Sequence, residues 1–236
     1  MTSPFTPKTL SFLRRLKRNN DREWFRLRKP EYETHVRGPM VALLEQLAPD
    51  LRRVAPELIC DPRVSLYRIY RDTRFSENKA PLKTHVAARF PAAGFPRGEG
   101  AGLYVHVAPD EVWIGGGLYM PSPADLRLIR EHIAVNHAAL KRMVTGASFR
   151  ETVGALEGER LTTMPRGYAK GHPAAEYLPY KQFLAGRELE SAFATDDRFY
   201  AELLNIFRAV APLVRFLNAP LLTQPRDLVH SRSTRD

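Results

Sequence analysis

The chain has 236 residues, a net charge of +10 and a single cysteine, Cys60. A chain of this length can bury about 70% of its unfolded surface, so it needs no disulfides to form a core. Its hydrophobic content of 44% excludes a collagen-like or disordered chain. No apolar run approaches the roughly 20 residues of a membrane span, and basic residues interrupt any signal-like segment near the N-terminus. We therefore expect a soluble, cytoplasmic protein with no membrane partner.

The first fifty residues have the spacing of amphipathic helices. Residues 7–18 carry an apolar stripe that predicts one helix, and Asp21 is placed to cap a second. Residues 30–48 predict a third helix, which Gly38–Pro39 should bend because proline cannot donate to the helical ladder. We expect Trp24, on the second helix, to be mostly buried against the core.

The pattern then changes to β-branched and aromatic residues, which is typical of strands. The predicted strands cover residues 64–70, 84–90, 102–107 and 112–118, with residues 180–185 as a further candidate. The segments 102–107 and 112–118 predict a hairpin around a four-residue turn. In that register His106 lies opposite Trp113 on one face of the sheet.

Helical signals return after the hairpin. Ser122 is a typical N-cap, and short helices are predicted near residues 137–144 and 148–156, followed by a strong final helix over 196–217. Helices, then hairpin strands, then helices predict an α+β fold with a mainly antiparallel sheet and N-terminal and C-terminal helices packed against it. We expect one domain over residues 1–222 and a flexible tail over 223–236.

Several familiar motifs are missing from the sequence. Residues Gly115–Gly117 are followed by no Gly-Lys-Ser/Thr and open no helix, which excludes a Walker loop and a dinucleotide fingerprint. Glycines in a strand favour a bulge or a close backbone approach, with an anion-binding nest as the alternative. His132 and His137 are five residues apart and do not share a helix face. We expect no metal, no cofactor, and a structural role for Cys60.

A dense group of basic residues follows the first predicted strand. Its members are Arg68, Arg71, Arg74, Lys79 and Lys83. Like charges this close are tolerated only where carboxylates or a bound anion offset them. Two interpretations stay open: a pocket for an anion, and a lattice of ion pairs that ties the sheet to the helices.

Four segments of the chain carry a family resemblance. They are Asn19–Phe25, the Arg-Asp-Thr-Arg-Phe-Ser run from Arg71, Gly116–Tyr119, and Pro165–Tyr168. On these segments the chain resembles an uncharacterised family, domain of unknown function 2461, over about residues 5–217. The resemblance implies one domain and names no reaction, cofactor or catalytic residue.

The basic group leads to a first functional hypothesis and two alternatives. The hypothesis is a small phosphorylated or carboxylated ligand held by Arg68, Arg71, Arg74, Lys79, Lys83 and Arg166, with Trp113 and Tyr119 stacking on a ring. Asp72 and His85 are the candidate proton carriers if a reaction is catalysed. One alternative is a nucleic-acid-binding protein that uses its basic N-terminal helices, and the other is a structural or regulatory interaction domain without a ligand.

Overall fold

The computed structural model describes residues 2–74, 77–96 and 98–223. Its N-terminal helices are α1 (Pro7–Arg18), α2 (Arg22–Leu27), α3 (Lys29–Tyr32) and α4 (Gly38–Val54). The Asp21 carboxylate caps α2 by accepting hydrogen bonds from the backbone N–H groups of Glu23 at 2.8 Å and Trp24 at 2.9 Å. The first two helices and the cap are as the sequence predicts.

The predicted bend of the third helix is a π-helical turn over Glu33–Arg37. Pro39 has no N–H to donate to the carbonyl oxygen of His35, four residues earlier. The buried hydroxyl of Thr9, on α1, donates to that oxygen instead, at 2.6 Å. The proline thus bends the segment and frees a carbonyl that ties α1 to it.

Trp24 packs against the core, as the sequence predicts, but its ring is not fully buried. The ring is half-buried at the edge of the core, with its centroid 5.8 Å from that of Phe12. The guanidinium of Arg28 lies 4.6 Å from the indole centroid and covers part of the ring. Trp24 therefore joins α2 to the core at its margin.

The predicted strand over residues 64–70 is wrong. Pro62 starts a single helical turn, α5 (Pro62–Ser65), because the Asp61 carboxylate caps it by accepting from the Arg63 N–H at 2.7 Å. The chain after this turn forms isolated bridges in place of a strand, Leu66 with Ala88 and Tyr70 with Leu82. A strong local cap therefore overrides the β propensity of this segment.

Four antiparallel strands form one sheet in the order β1-β2-β3-β4. They are β1 (Val86–Pro91), β2 (Gly102–Val107), β3 (Glu111–Leu118) and β4 (Phe183–Glu190). The hairpin register is confirmed, since His106 pairs with Trp113. The candidate strand at 180–185 begins later and runs longer than predicted.

The C-terminal helices are α6 (Pro123–Thr145), α7 (Ala147–Val153) and α8 (Phe199–Leu222). Helix α6 is continuous through the predicted short helix but kinks at Asn136, whose side chain donates to the carbonyl oxygen of His132 at 3.0 Å. Helix α8 packs on β2 and β3, and its Phe207 ring also meets the ring of Phe90 on β1, with centroids 5.2 Å apart. Helix α8 therefore covers one face of the sheet.

The predicted α+β class is confirmed, with helices from both ends of the chain around a four-stranded antiparallel sheet. Buried residues from Phe5 to Leu221 contribute to one hydrophobic cluster. Within the described ranges, none of the helices combines the length and apolar character needed to cross a membrane. The predicted tail lies outside the described residues, apart from Thr223.

Candidate functional site

The sheet face opposite α8 carries polar and aromatic side chains. Residues paired across antiparallel strands point to the same side, and alternate residues point to opposite sides. Arg89 pairs with Tyr104, and His106, two residues further along β2, pairs with Trp113. These four side chains therefore share one face, while Phe90 points toward α8.

The Trp113 ring lies against two glycines from β3 and β4, which form a floor under it. A Cβ atom at Gly115 would come within 2.7 Å of the indole Cη2, and one at Gly186 within 2.6 Å of the indole Cζ2. Contacts this short cannot form, so the indole occupies space that any larger residue would fill. The interpretation of the β3 glycines as sites of close approach is confirmed at Gly115.

A cleft of about 480 Å³ opens over this face, within the usual size range for small-molecule sites. We call it the cationic cleft. The side chains that line it are Tyr67, Lys83, His85, Arg89, Leu103, Tyr104, His106, Trp113, Tyr119 and Leu184. Glycines 98, 100, 102, 116 and 117 complete its walls.

Lys83 is the first of two cations in the cationic cleft. It is half-buried, and its Nζ lies 4.5 Å from the centroid of the Tyr67 ring. Burial, followed by the charge of Arg68, lowers the pKa of Lys83. Among the residues that the structure describes, no carboxylate oxygen comes within 4.0 Å of this ammonium group. Its charge is therefore left to interact with a ring face and with whatever enters the cleft.

Arg89 is the second cation, and it also shapes the cleft. Its Nη2 donates to the carbonyl oxygens of Glu99 and Gly100, each at 2.7 Å. Burial lowers the pKa of Arg89, but a guanidinium keeps its charge throughout the physiological range. Within the described part of the chain, its Nε and Nη1 donate no hydrogen bond. Arg89 thus holds a loop in place with one nitrogen and keeps other donors available.

Two histidines stand beside these cations. The rings of His85 and His106 are 5.2 Å apart, and His106 Nε2 lies 3.1 Å from Glu111 Oε1. Burial lowers the pKa of His85 to about 4, with smaller contributions from His106, Lys83 and Arg71. Burial also lowers the pKa of His106, against the opposing effect of Glu111. His85 is therefore a neutral imidazole at pH 7.

Aromatic rings form the rest of the lining. The Tyr104 ring lies 5.8 Å from that of Trp113 and 6.2 Å from that of Tyr67, measured between centroids. Burial raises the pKa of the Tyr104 hydroxyl. Tyr119 is 67% exposed and lies at the margin of the cleft. The cationic cleft therefore combines positive charge with flat apolar surfaces.

The structure brings together four of the ten residues that the sequence singled out. Lys83, His85, Trp113 and Tyr119 line the cleft. The other six do not line it: Arg68, Arg71, Asp72, Arg74, Lys79 and Arg166. Arg68 and Arg71 still act on it through their charge, since they contribute to the lowered pKa values of Lys83 and His85.

The exposed end of the basic segment forms an ion pair outside the cleft. Arg74 donates from Nε and Nη2 to the Asp72 carboxylate at 3.1 and 2.8 Å. This hydrogen bonding lowers the pKa of Asp72 to about 2, so the group is a carboxylate and not a proton donor at neutral pH. Lys79 donates to the carbonyl oxygen of Thr73 at 3.1 Å. The lattice interpretation thus describes the Asp72–Arg74 pair, and it does not describe Lys83.

Among the polar and aromatic side chains that line the cleft, sequence reasoning missed four: Tyr67, Arg89, Tyr104 and His106. The signal was present in part, because the predicted hairpin already places His106 beside Trp113, and period-two alternation puts Tyr104 on the same face. Placing Arg89 in the cleft requires the register of β1 against β2, and no tight turn between these strands specifies that register. Tyr67 was assigned to a strand that does not form.

The basic N-terminal helices carry several ion pairs, both among themselves and with the β2–β3 turn. Arg15 pairs with Glu31, Lys17 with Asp110, and Arg26 with Glu23. These pairs offset part of the charge on which the nucleic-acid alternative depends. That alternative stays a prediction.

Cys60 lies outside the cleft. Cys60 Sγ donates to the carbonyl oxygen of Leu44 at 3.3 Å, and burial raises the pKa of this thiol to about 12, which fits a structural residue. In the part of the chain that the structure covers, no three histidine, cysteine or acidic side chains are arranged to hold a metal ion.

Comparison with known proteins supports the family resemblance. The family model described as "Conserved hypothetical protein (DUF2461)" matches residues 8–216, a range that contains all four strands and the whole lining of the cationic cleft. No curated protein matches the chain. The family description names no activity, so the geometry of the cleft is the basis for assigning a function.

Proposed function

Because the chain belongs to the DUF2461 family of conserved hypothetical proteins, whose description names no activity, we propose a function from the geometry of the cationic cleft. The protein binds a small phosphorylated or carboxylated ligand that carries a planar ring. The observation that carries this proposal is the presence of Lys83 and Arg89 in one cleft, with no Asp or Glu among the described residues that line it.

Charge is the first argument for an anion. Two half-buried cations line one cleft, where partial desolvation of both, and the charge of Arg68 near Lys83, disfavour their charged forms. A phosphate or carboxylate between them would offset both effects and accept charge-assisted hydrogen bonds from Lys83 Nζ and from the unused nitrogens of Arg89. Arg68 and Arg71 would add long-range attraction for the same anion.

The aromatic lining is the argument for a ring. Tyr67, Tyr104 and Trp113 form a chain of neighbouring rings, and Tyr119 adds an exposed one at the margin. Aromatic side chains contribute stacking surface at little cost in conformational entropy. The volume of about 480 Å³ admits a ring and an anionic group together.

His85 has a separate role in this proposal. A neutral imidazole beside Lys83 can accept a hydrogen bond from a ligand hydroxyl or from a protonated phosphate oxygen. A bound anion would also favour protonation of His85, since it would offset the cations that now oppose it. His85 is therefore the group in the cleft best placed to exchange a proton with the ligand.

The test compares probes that differ only in charge or ring. Phenyl phosphate, inorganic phosphate and phenol are titrated into the protein by calorimetry. We expect phenyl phosphate to bind more tightly than phosphate, and phenol to bind more weakly than both. Lys83→Gln should weaken both anions by about tenfold, in the range for losing one charge-assisted hydrogen bond.

Lys79→Gln is the matched control, because Lys79 belongs to the same segment but lies outside the cleft. It removes the same charge from the protein and should leave the affinity for both anions within about twofold of the wild-type value. Equal weakening by both substitutions would indicate a general charge effect and contradict a site at Lys83. Phenol binding as tightly as phenyl phosphate would contradict anion recognition.

Two broader assignments accompany this proposal. We propose that residues 1–222 act as one domain, since residues from both ends of that range share one hydrophobic cluster. We also place the protein in the cytoplasm, where its single cysteine would stay reduced.

A further inference from the structure

A second groove adjoins the cationic cleft. It has a volume of about 590 Å³ and runs between the 98–100 loop and the start of α6. We call it the outer groove; its side chains come from Glu99, Leu118, Tyr119, Met120, Pro121, Ser122, Ala124, Asp125, Arg127 and Leu128. Gly98, Gly100 and Tyr119 line both cavities. The two spaces are therefore adjacent, and these three residues form the partition between them.

Arg89 is bonded to that partition. Its Nη2 holds the carbonyl oxygens of Glu99 and Gly100 from the cleft side. Gly100 has φ +66°, and a Cβ there would come within 2.7 Å of the Phe95 ring, so the partition is thin because a larger residue does not fit. An anion at Arg89 would consequently lie next to the opening into the outer groove.

Met120 gives the groove an unusual wall. It is the only non-glycine residue with positive φ in the part of the chain that the structure describes, at +48°. Its side chain is 73% exposed, next to the 67% exposed Tyr119. A bulky side chain in this conformation costs free energy, and such strain tends to persist where function uses it. The strained backbone holds two large apolar side chains at the place where the cavities join.

One part of the groove wall offers a contact surface for an uncharged, apolar group. Leu118, Tyr119, Met120, Pro121 and Leu128 belong to it, while Glu99, Ser122, Asp125 and Arg127 supply polar atoms along the rest. The start of α6 does not offer an anion site, because Ser122 Oγ already accepts from the Asp125 N–H at 3.1 Å and donates to its carboxylate at 2.9 Å. A second anionic group would also meet the Asp125 carboxylate.

We propose that the ligand is elongated: its anionic group lies in the cationic cleft, and an uncharged apolar arm passes Tyr119 into the outer groove against Met120 and Leu128. This inference rests on the proposed function and adds the class of ligand, an anion with an apolar arm. The arm would be an alkyl, acyl or aryl group attached to the phosphate or carboxylate.

A series of alkyl phosphates tests this arrangement. Methyl, butyl and hexyl phosphate are titrated by calorimetry, with inorganic phosphate as the reference. Burial of each methylene should raise affinity by about fourfold until the arm fills the groove. Wild-type protein should therefore bind hexyl phosphate far more tightly than methyl phosphate.

Met120→Gly is the main variant, because glycine removes the wall and relieves the positive φ together. We expect its thermal stability to be equal or higher, while the gain in affinity per methylene falls by at least half. Leu128→Ala should lower the gain as well. Val135→Ala is the control, since Val135 is an apolar α6 residue that is 80% exposed and lies outside the outer groove. It should keep the wild-type gain.

The outcomes separate the two proposals. If phosphate and methyl phosphate bind in a way that depends on Lys83, but affinity does not rise with chain length, the proposed arm is wrong and the anion site is still supported. If the gain in affinity per methylene is the same in Met120→Gly and Leu128→Ala as in the wild type, the arm does not lie in the outer groove. Tight binding of hexyl phosphate that does not depend on Lys83 would contradict the anion site itself.

Discussion

The imidazole rings of His85 and His106 lie 5.2 Å apart at an angle of 35°, with Lys83 on one side of the pair and Glu111 on the other. The Glu111 carboxylate accepts a hydrogen bond from His106. His85 has the charges of Lys83 and Arg71 nearby and is partly buried, so its protonated form is the less stable one. This asymmetry makes the pair sensitive to pH and to any anion that enters the cleft.

The first prediction concerns stability at low pH. The pKa of His85 is lowered from 6.5 to about 4 in the folded protein, so between these values the unfolded chain binds a proton that the folded chain does not. The free energy of unfolding should therefore fall as the pH drops through this window, by at most about 3 kcal/mol from this residue. His85→Gln should remove that share, as measured by urea unfolding at pH 7 and pH 5. The same loss on acidification in both proteins would show that His85 does not cause it.

The second prediction concerns the glycine floor under Trp113. Gly186→Val should destabilise the protein by about 1–3 kcal/mol, because its side chain would overlap the indole and the carbonyl oxygen of Ile114, each 2.6 Å from the new Cβ. Gly171→Ala is the control, since no atom lies within 4 Å of a Cβ at that position. Its effect should stay within about 0.5 kcal/mol in urea unfolding. Similar midpoints for the two variants would argue against a tight floor.

The third prediction concerns Trp24. A half-buried ring at the core margin contributes less than the about 3–5 kcal/mol lost with a fully buried large aromatic, so Trp24→Ala should cost about 2 kcal/mol. Trp24→Phe keeps the contact with Phe12 and should cost about half as much. The measurement is the free energy of unfolding in urea. A loss above about 4 kcal/mol would mean that the ring is more deeply buried than we find.

Local patterns predicted those parts of the fold that local interactions determine. The Asp21 cap, the bend before Pro39 and the His106–Trp113 register each depend on a few neighbouring residues. The predicted strand at 64–70 was wrong because the Asp61 cap and Pro62 start a helical turn there. A propensity averaged over the segment does not compare the effect of one cap with that of several β-forming residues.

The candidate site was only partly predictable for a different reason. Lys83 and His85 precede β1 directly, and Trp113 lies in the predicted hairpin, so their place near one sheet face follows from the chain order. Arg89 depends on the pairing of β1 with β2 across a long connection. The exposed pair of Arg74 and Asp72 looked like part of the site because charge density alone does not indicate which side chains face inward.

The central claim is that Lys83 contributes to an anion site, and unfolding in urea with and without about 0.1 M phosphate tests it most directly. If phosphate binds with a dissociation constant of about 10 mM, it should stabilise the wild type by about 1.4 kcal/mol relative to chloride of equal ionic strength. Lys79→Gln should keep this gain and Lys83→Gln should lose most of it, while its own stability without phosphate stays equal or rises. The contradictory result is an equal gain from phosphate in both variants, or a loss of about 3–5 kcal/mol in Lys83→Gln with no phosphate effect on any protein, as expected for a structural ion pair.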